Sequence, residues 1–403
     1  MTIIRRKNIA VIVETMNSYG RGILTGICRY VQEQGNWTVQ YTERLLESQP
    51  PIWLSDWEGD GIIVRDRTGT SCKLAMEMGV KVVDLSEVRH PNIPTVYSDH
   101  NMSAEMAADY FLERQFENFA YVGIQGRPFS EKRRDAFLRK TGPNCQVFDL
   151  ENDPEGQASW LGDHPRFLEW LKQLPKPVAI LACYDMVGMY VLQSCRLMNI
   201  HVPDMVAVMG INNDEIQCNL ASPTLSSVVL NAPQVGYEAC VLLDSLMRGE
   251  QPPERSMVVP TLGIVTRRST ETKVVPDLTI SRAMQFIRDY ACDEIDVIDV
   301  AEHVKLARRT LERRFAKVYN CTPNQMIIQV RLKRACDLLR NSRMLVNIIA
   351  ERVGFQSSSY FTILFHKQFG LLPKDYRKQA RSRAREGLSE SFLMGIMEPI
   401  GRD

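Results

Sequence analysis

Long apolar runs, paired cysteines and a strong net charge are all missing from these 403 residues. No stretch approaches the roughly 20 apolar residues that span a bilayer, so no membrane partner is expected. The basic opening, residues 1–8, leads into an apolar run that stops at Glu14. That is too short for a secretory signal, and the expected location is the cytoplasm. Ten cysteines stand singly, at 28, 72, 145, 183, 195, 218, 240, 292, 321 and 336, with no Cys-x-x-Cys pair and only six histidines. Neither a disulfide framework nor a metal site is expected, and no cofactor is called for. Cys183 and Cys240 lie inside apolar stretches, where a thiol behaves as a small buried hydrophobe.

Catalytic signatures are missing as well. There is no Gly-x-Ser-x-Gly elbow, no His-Glu-x-x-His and no Walker loop, so an enzyme is not expected. Gly20, Gly22 and Gly26 approach a dinucleotide fingerprint and miss it. Gly20 comes seven positions after Val13, and the third glycine is one place late. Close packing of a helix and a loop is their expected role.

What is present is a globular composition, 44% apolar and 24% charged, which excludes a disordered chain. The net charge of +1 conceals an asymmetry: residues 301–384 carry 18 Lys and Arg against 5 Asp and Glu, which leaves −12 on the other 319 residues. A basic C-terminal segment of this kind is expected to meet a polyanion.

Short β-branched runs recur at 9–13, 61–64, 80–83, 121–123, 178–182 and 206–209, separated by helical patterns at 19–34, 99–115, 131–140 and 185–198. Strands buried on both faces and alternating with helices imply parallel sheets. Their number predicts an α/β region of two doubly wound lobes with a cleft between them, its site beyond the carboxyl ends of strands. The pattern then breaks near Arg267–Leu278, where a polar run ends in a Pro-Asp turn signal. The expected division is a two-lobed domain over 1–268, a linker over 269–279, an all-α domain over 280–380 and a tail over 381–403.

The all-α region holds two helix–turn–helix patterns about 50 residues apart. In the first, Val297, Ala301 and Val304 form one apolar stripe and Leu311, Phe315 and Val318 the next. In the second, Leu345, Ile349 and Val353 precede a helix that buries Phe361, Phe365 and Phe369. Outward positions on the two second helices carry Arg308, Arg309, Glu312 and Arg313 in one, and Gln356, Ser357, Ser358, Ser359, Thr362 and Lys367 in the other. Arginines so placed reach guanine edges bidentately, and hydroxyls reach phosphate. The helix between the units, striped by Ile328, Leu332, Ala335 and Leu339, is expected to show Arg331, Lys333, Arg334 and Arg340 on its polar side.

The run Thr310-Leu311-Glu312-Arg313-Arg314-Phe315, with Thr322-Pro323, Gly354-Phe355, Phe369-Gly370 and Tyr376-Arg377, resembles the DNA-binding module of AraC-type regulators. That resemblance implies double-stranded DNA as partner, with both second helices in major grooves. Base readers would be Arg309, Glu312 and Arg313, then Ser358, Ser359 and Thr362. Ala307 stands where family members often carry an N-capping Ser, at a cost of about 0.5–2 kcal/mol.

Residues 180–185 (Ile-Leu-Ala-Cys-Tyr-Asp), 202–214 (Val-Pro-Asp-Met-Val-Ala-Val-Met-Gly-Ile-Asn-Asn-Asp) and 222–228 resemble LacI-type sugar-sensing domains, which implies a periplasmic-binding-protein-like fold over residues 7–268. Sugars are held by carboxylates, amides, Arg and aromatic faces. The candidates are Asp185, Asn212, Arg133, Glu14, Arg21, Arg65 and Asp66. Arg134 rivals Arg133, Asp185 could instead cap a helix, and Arg65 with Asp66 could be a surface pair. Asp99 is expected to cap the following helix.

A LacI-type sensor followed by an AraC-type module resembles the arrangement of a regulator of pentose use. It implies a homodimeric activator of pentose-use genes with xylose as effector. Asn212 replaces the usual Asp, which leaves another sugar open, as well as a repressor. A sugar-metabolising enzyme would lack a visible acid–base pair, and a sugar-binding protein without gene control would leave the basic segment unexplained.

Overall fold

The computed structural model describes residues 6–42, 50–66, 69–86, 93–151, 164–251, 256–271 and 277–385. Two compact units divide the chain, Met1–Val274 and Val275–Asp403. The first runs β1 (Lys7–Ile12), α1 (Ser18–Gln34), β2 (Trp37–Tyr41), β3 (Gly61–Val64), α2 (Thr70–Glu77), β4 (Lys81–Asp84), β5 (Val96–Ser98), α3 (His100–Glu113), β6 (Asn118–Ile124), α4 (Pro128–Thr141), β7 (Gln146–Leu150) and α5 (His164–Gln173). It continues through β8 (Val178–Ala182), α6 (Asp185–Leu197), β9 (Val206–Ile211), α7 (Glu215–Leu220), β10 (Ser226–Val229), α8 (Ala232–Met247), β11 (Met257–Val259) and β12 (Gly263–Val265).

Two sheets form the two lobes. The first is parallel, in the order β2-β1-β3-β4; the second, β12-β10-β9-β8-β6-β7, is parallel except for β12. Each is doubly wound, with its order reversing between β1 and β3 and between β6 and β8, the places where such folds open a crevice. The runs read as strands are buried on both faces: every residue of β3, β8 and β9 is buried. Chain crossings between the lobes occur after β5, β10 and β11, with β5 and β11 paired to each other.

Helices α1 and α8 pack closely in the first lobe, and the glycines permit it. A Cβ on Gly26 would run into the Pro233 carbonyl oxygen, and one on Gly236 into that of Ile23. Gly22 faces Ala232, and Gly20 sits on the Glu14 carbonyl. Packing, not phosphate, explains these glycines. Cys183 and Cys240 are fully buried as expected, and burial pushes the Cys183 thiol up to about 12.

The expected linker starts inside the first unit. Ser269 and Thr270 are fully buried: the Ser269 hydroxyl donates to the Val208 carbonyl at 2.6 Å, and Thr270 meets Tyr110 and Ser226 at 2.9 and 2.7 Å. Residues 272–276 of that segment lie outside the described residues.

The second unit is helical: α9 (Leu278–Tyr290), α10 (Val297–His303), α11 (Arg308–Tyr319), α12 (Pro323–Asn341), α13 (Val346–Arg352), α14 (Ser358–Phe369) and α15 (Pro373–Arg385). Two apolar cores share it. Ile280, Ile287, Val300, Leu311 and Phe315 anchor one, while Leu332, Leu339, Ile349, Phe361 and Phe365 anchor the other. Helix α12 supplies residues to both, with a Thr322–Gln325 capping box and Pro323 at its first turn. Of the expected tail, 381–385 finish α15 and the rest lies outside the described residues.

Candidate functional site

Side chains converge at the carboxyl ends of strands in both lobes of the first unit. Glu14 follows β1 and is 2% exposed. Its Oε1 accepts from Arg65, which follows β3, and from the Asn17 amide at 3.1 Å. Its Oε2 is buried with no hydrogen-bond partner among the described residues. The Arg65 guanidinium also lies over the Tyr19 ring, 4.9 Å from its centroid. Glu14 and Arg65 therefore stand together at the switch point of the first sheet.

In the second lobe, Arg133 is 2% exposed on α4. It donates from Nε to His100 Nδ1 at 3.1 Å and from Nη1 to the Cys183 carbonyl, and sits 5.2 Å from the Phe129 centroid. Arg134 points elsewhere, to Asp135 and Asp149. Of the two rivals, Arg133 is the one buried beside the carboxyl end of β8. Tyr184, after β8, meets Phe129 edge-on at 6.3 Å.

Three expected contacts behave differently. Asp185 is fully buried; Oδ2 accepts the Asp214 amide at 2.7 Å and Oδ1 the Ser227 hydroxyl at 2.5 Å. Burial pushes its carboxyl up to about 7 against those two hydrogen bonds. It fixes the turn that carries Asn212. Asp66 is also buried, and accepts from the Gly69 and Ser71 amides at 3.2 and 2.7 Å, so it secures the start of α2. Arg21 bridges the lobes: it donates to the Thr15 and Met16 carbonyls and pairs with Asp214 at 3.4 Å. Asn212 is half-buried at φ 116°, followed by Asn213 at 53°, a left-handed pair that Asn tolerates better than most residues. Asp99 caps α3 as expected, accepting from Met102 N at 2.8 Å.

In the helical unit, α10 with α11 and α13 with α14 make two helix–turn–helix pairs. Arg308, Arg309 and Arg313 are exposed on α11, and Arg308 holds Glu312 at 2.9 Å. Ala307 offers no side-chain cap. On α14 and just before it, Gln356, Ser357, Ser358, Ser359 and Lys367 are exposed and Thr362 half-buried. Ser357 is spent as the N-cap, accepting from Tyr360 N at 3.3 Å, and Thr362 donates to the Ser358 carbonyl at 2.8 Å.

Part of the basic excess is internal. Arg314 pairs with Asp277 at 2.6 Å, and Arg331 turns inward to the Ala291 and Ile295 carbonyls at 2.6 and 3.0 Å. Arg340 donates to the Tyr376 hydroxyl at 3.0 and 2.9 Å. Arg331 and Arg340 thus hold the bundle together and leave the polar side of α12 to Lys333 and Arg334.

Comparisons with known proteins follow the same division. A periplasmic binding protein-like domain matches residues 108–270 and a helix-turn-helix domain residues 300–379. The xylose operon regulatory protein of Haemophilus influenzae is 29% identical over 379 residues, 92% of this chain and 97% of its own. That of Escherichia coli K12 is 29% identical over 386 residues, covering 93% and 97%. A solved structure described as the xylose-binding transcription activator xylR superposes with a TM-score of 0.80 at 28% identity, covering 93% of this chain and 98% of that one. The chain is a DNA-binding transcription regulator.

Sequence reasoning missed several residues beside the candidate positions. His100 gave no signal because its partner lies 33 residues away on another helix. Asn17, which holds Glu14, reads from sequence only as a helix cap, which it also is. Tyr360 and Ile363, 51% and 65% exposed on α14, add apolar surface to a face read as polar. The helical period alone could have flagged Ile363, four residues beyond Ser359.

Proposed function

We propose that the regulator is a cytoplasmic, homodimeric activator of pentose-use genes, without enzymatic activity, whose first unit binds an aldopentose, xylose foremost. The observation that carries the reading is the second carboxylate oxygen of Glu14, buried and unpartnered beside Arg65. A buried acceptor of that kind costs about 1–3 kcal/mol until a donor arrives, and a sugar hydroxyl is such a donor. Arg133 and Asn212 would meet the sugar from the other lobe, with Asp185 and Asp66 holding the turns behind the contacts. Arg21, paired with Asp214 across the lobes, would respond to their closure. The basic face of α11 and the hydroxyl-bearing face of α14 would carry the DNA contacts, and the segment after Thr270 the signal. Only a sugar that binds the DNA-competent state better can shift the population toward it.

A thermal-unfolding scan with aldopentoses and aldohexoses tests the reading. A sugar at about 100 times its Kd adds roughly 2.7 kcal/mol, a shift of a few degrees. A shift with xylose supports the assignment, and one with another sugar alone transfers it to that sugar and to Asn212. A protein that no sugar shifts would sink the sensor reading and leave the DNA-binding unit standing.

A further inference from the structure

A buried arginine needs its donors aimed, because a guanidinium that drifts by an ångström loses a bidentate or directed contact. Arg133 is held from three sides by three separate elements. Phe129, one turn earlier on α4, lies under its guanidinium. The Cys183 carbonyl at the end of β8 takes Nη1. His100, the first residue of α3, takes Nε through Nδ1 at 3.1 Å.

An arginine can only donate, so Nδ1 must present its lone pair and the ring must be neutral with its proton on Nε2. The ring itself is fixed. It is 6% exposed, parallel within 6° to Tyr97 at 6.2 Å, and 6.4 Å from Phe129. Its backbone is anchored at the first crossing between the lobes. There Ser98 Oγ lies 3.0 Å from the Tyr19 hydroxyl of α1, and the Asp99 amide donates to the Val259 carbonyl at 2.8 Å. A packing role alone would be served by any ring of this size; the directed Nε–Nδ1 contact is what a plain ring cannot supply.

The geometry points to His100 as a positioning residue for the effector, one that aims the Arg133 guanidinium and ties it to the segment joining the two lobes. This rests on the reading of Arg133 as a sugar contact. The experiment is titration of the full-length protein with xylose and with any other aldose that shifts its unfolding, followed by calorimetry. His100→Phe keeps the ring and removes the acceptor; it is expected to weaken binding at least tenfold while the sugar-free unfolding midpoint stays within a few degrees. His100→Asn returns an acceptor near Nδ1 and is expected to stay within about threefold of wild type. In an Arg133→Lys background, which has no Nε, His100→Phe is expected to change nothing further.

Equal affinity of His100→Phe and wild type would overturn the proposal while leaving the sensor reading intact. So would a His100→Asn protein as weak as His100→Phe, or a full His100→Phe loss persisting in the Lys background. A wild type that binds no sugar would overturn both.

Discussion

The two helix–turn–helix units repeat one backbone with different residues at its difficult points. After α10, Lys305 takes φ 54° and its amide bonds to the Glu302 carbonyl; after α13, Gly354 takes φ 87° and bonds to Glu351, 49 residues on. The spacing then becomes 50: Leu311 matches Phe361, Phe315 matches Phe365, and the left-handed caps Asn320 and Gly370 end α11 and α14. The second unit uses glycine at both left-handed positions, while the first keeps side chains there. It also begins its second helix with Ala307, where the second has a capping Ser357. The first unit thus accepts local strain and an open helix start, yet carries three exposed arginines on α11; the second is better capped and offers hydroxyls, Tyr360 and Ile363. Backbone quality and surface charge have been distributed in opposite directions.

The cores provide the largest test of that separation. Phe315 and Phe365 are both fully buried, one in each apolar cluster, and truncation of either to Ala is expected to cost about 3–5 kcal/mol. Hydrogen exchange after Phe315→Ala should show lost protection concentrated in α10 and α11, and after Phe365→Ala in α13 and α14. Uniform loss across both units would make the bundle one cooperative core, joined through α12.

Surface chemistry gives the next test. Arg313→Ala is expected to lose about 1–3 kcal/mol on a cognate promoter fragment, with relaxed preference at one base pair. If Arg313 instead neutralises phosphate, the slope of log affinity against log salt falls by about 0.9 while sequence preference stays. Thr362→Ala should cost less and leave the slope alone, since its hydroxyl already donates to the Ser358 carbonyl. Equal effects of the two substitutions would erase the distinction between a charged and a neutral reading surface.

Much of this was legible because periodicity survives in sequence. The β-branched runs became β1, β3, β4, β6, β8 and β9, and the phenylalanine stripe of α14 faces inward as its spacing requires. The short strands β2, β5, β7 and β10–β12 were not, since three to five residues carry too little pattern, and all of them but β10 lie at a sheet edge or in the two-stranded pair. At the strand ends, residue type singled out Glu14, Arg65 and Arg133 as candidates, while partner choice stayed hidden. Asp185 and Asp66 look like ligand contacts in sequence and become turn holders only when Asp214 N, Ser227 and Ser71 N reach them. Arg331 and Arg340 failed likewise: the helical period gave the side of α12 but not the carbonyls and hydroxyl that draw their long side chains inward.

The smallest effect separates the two turns. A non-glycine residue in the left-handed region pays roughly 1–2 kcal/mol, and a Cβ at Gly354 would also lie 3.0 Å from the Ala291 carbonyl oxygen. Gly354→Ala should therefore destabilise by about 1–2 kcal/mol. Lys305→Gly gains less than that figure, because the added glycine also widens the unfolded ensemble, and a net stabilisation of up to about 1 kcal/mol is expected in urea unfolding. Promoter affinity discriminates what the strain is for. Lys305 is exposed and lies three residues before the first residue of α11, so a Lys305→Gly protein that is more stable yet binds DNA more weakly, with a shallower salt slope, assigns the side chain to phosphate. A Lys305→Gly protein that gains stability and keeps its affinity would mean that the turn of the first unit carries strain without return, and the two units would then differ in backbone quality for no reason connected with DNA.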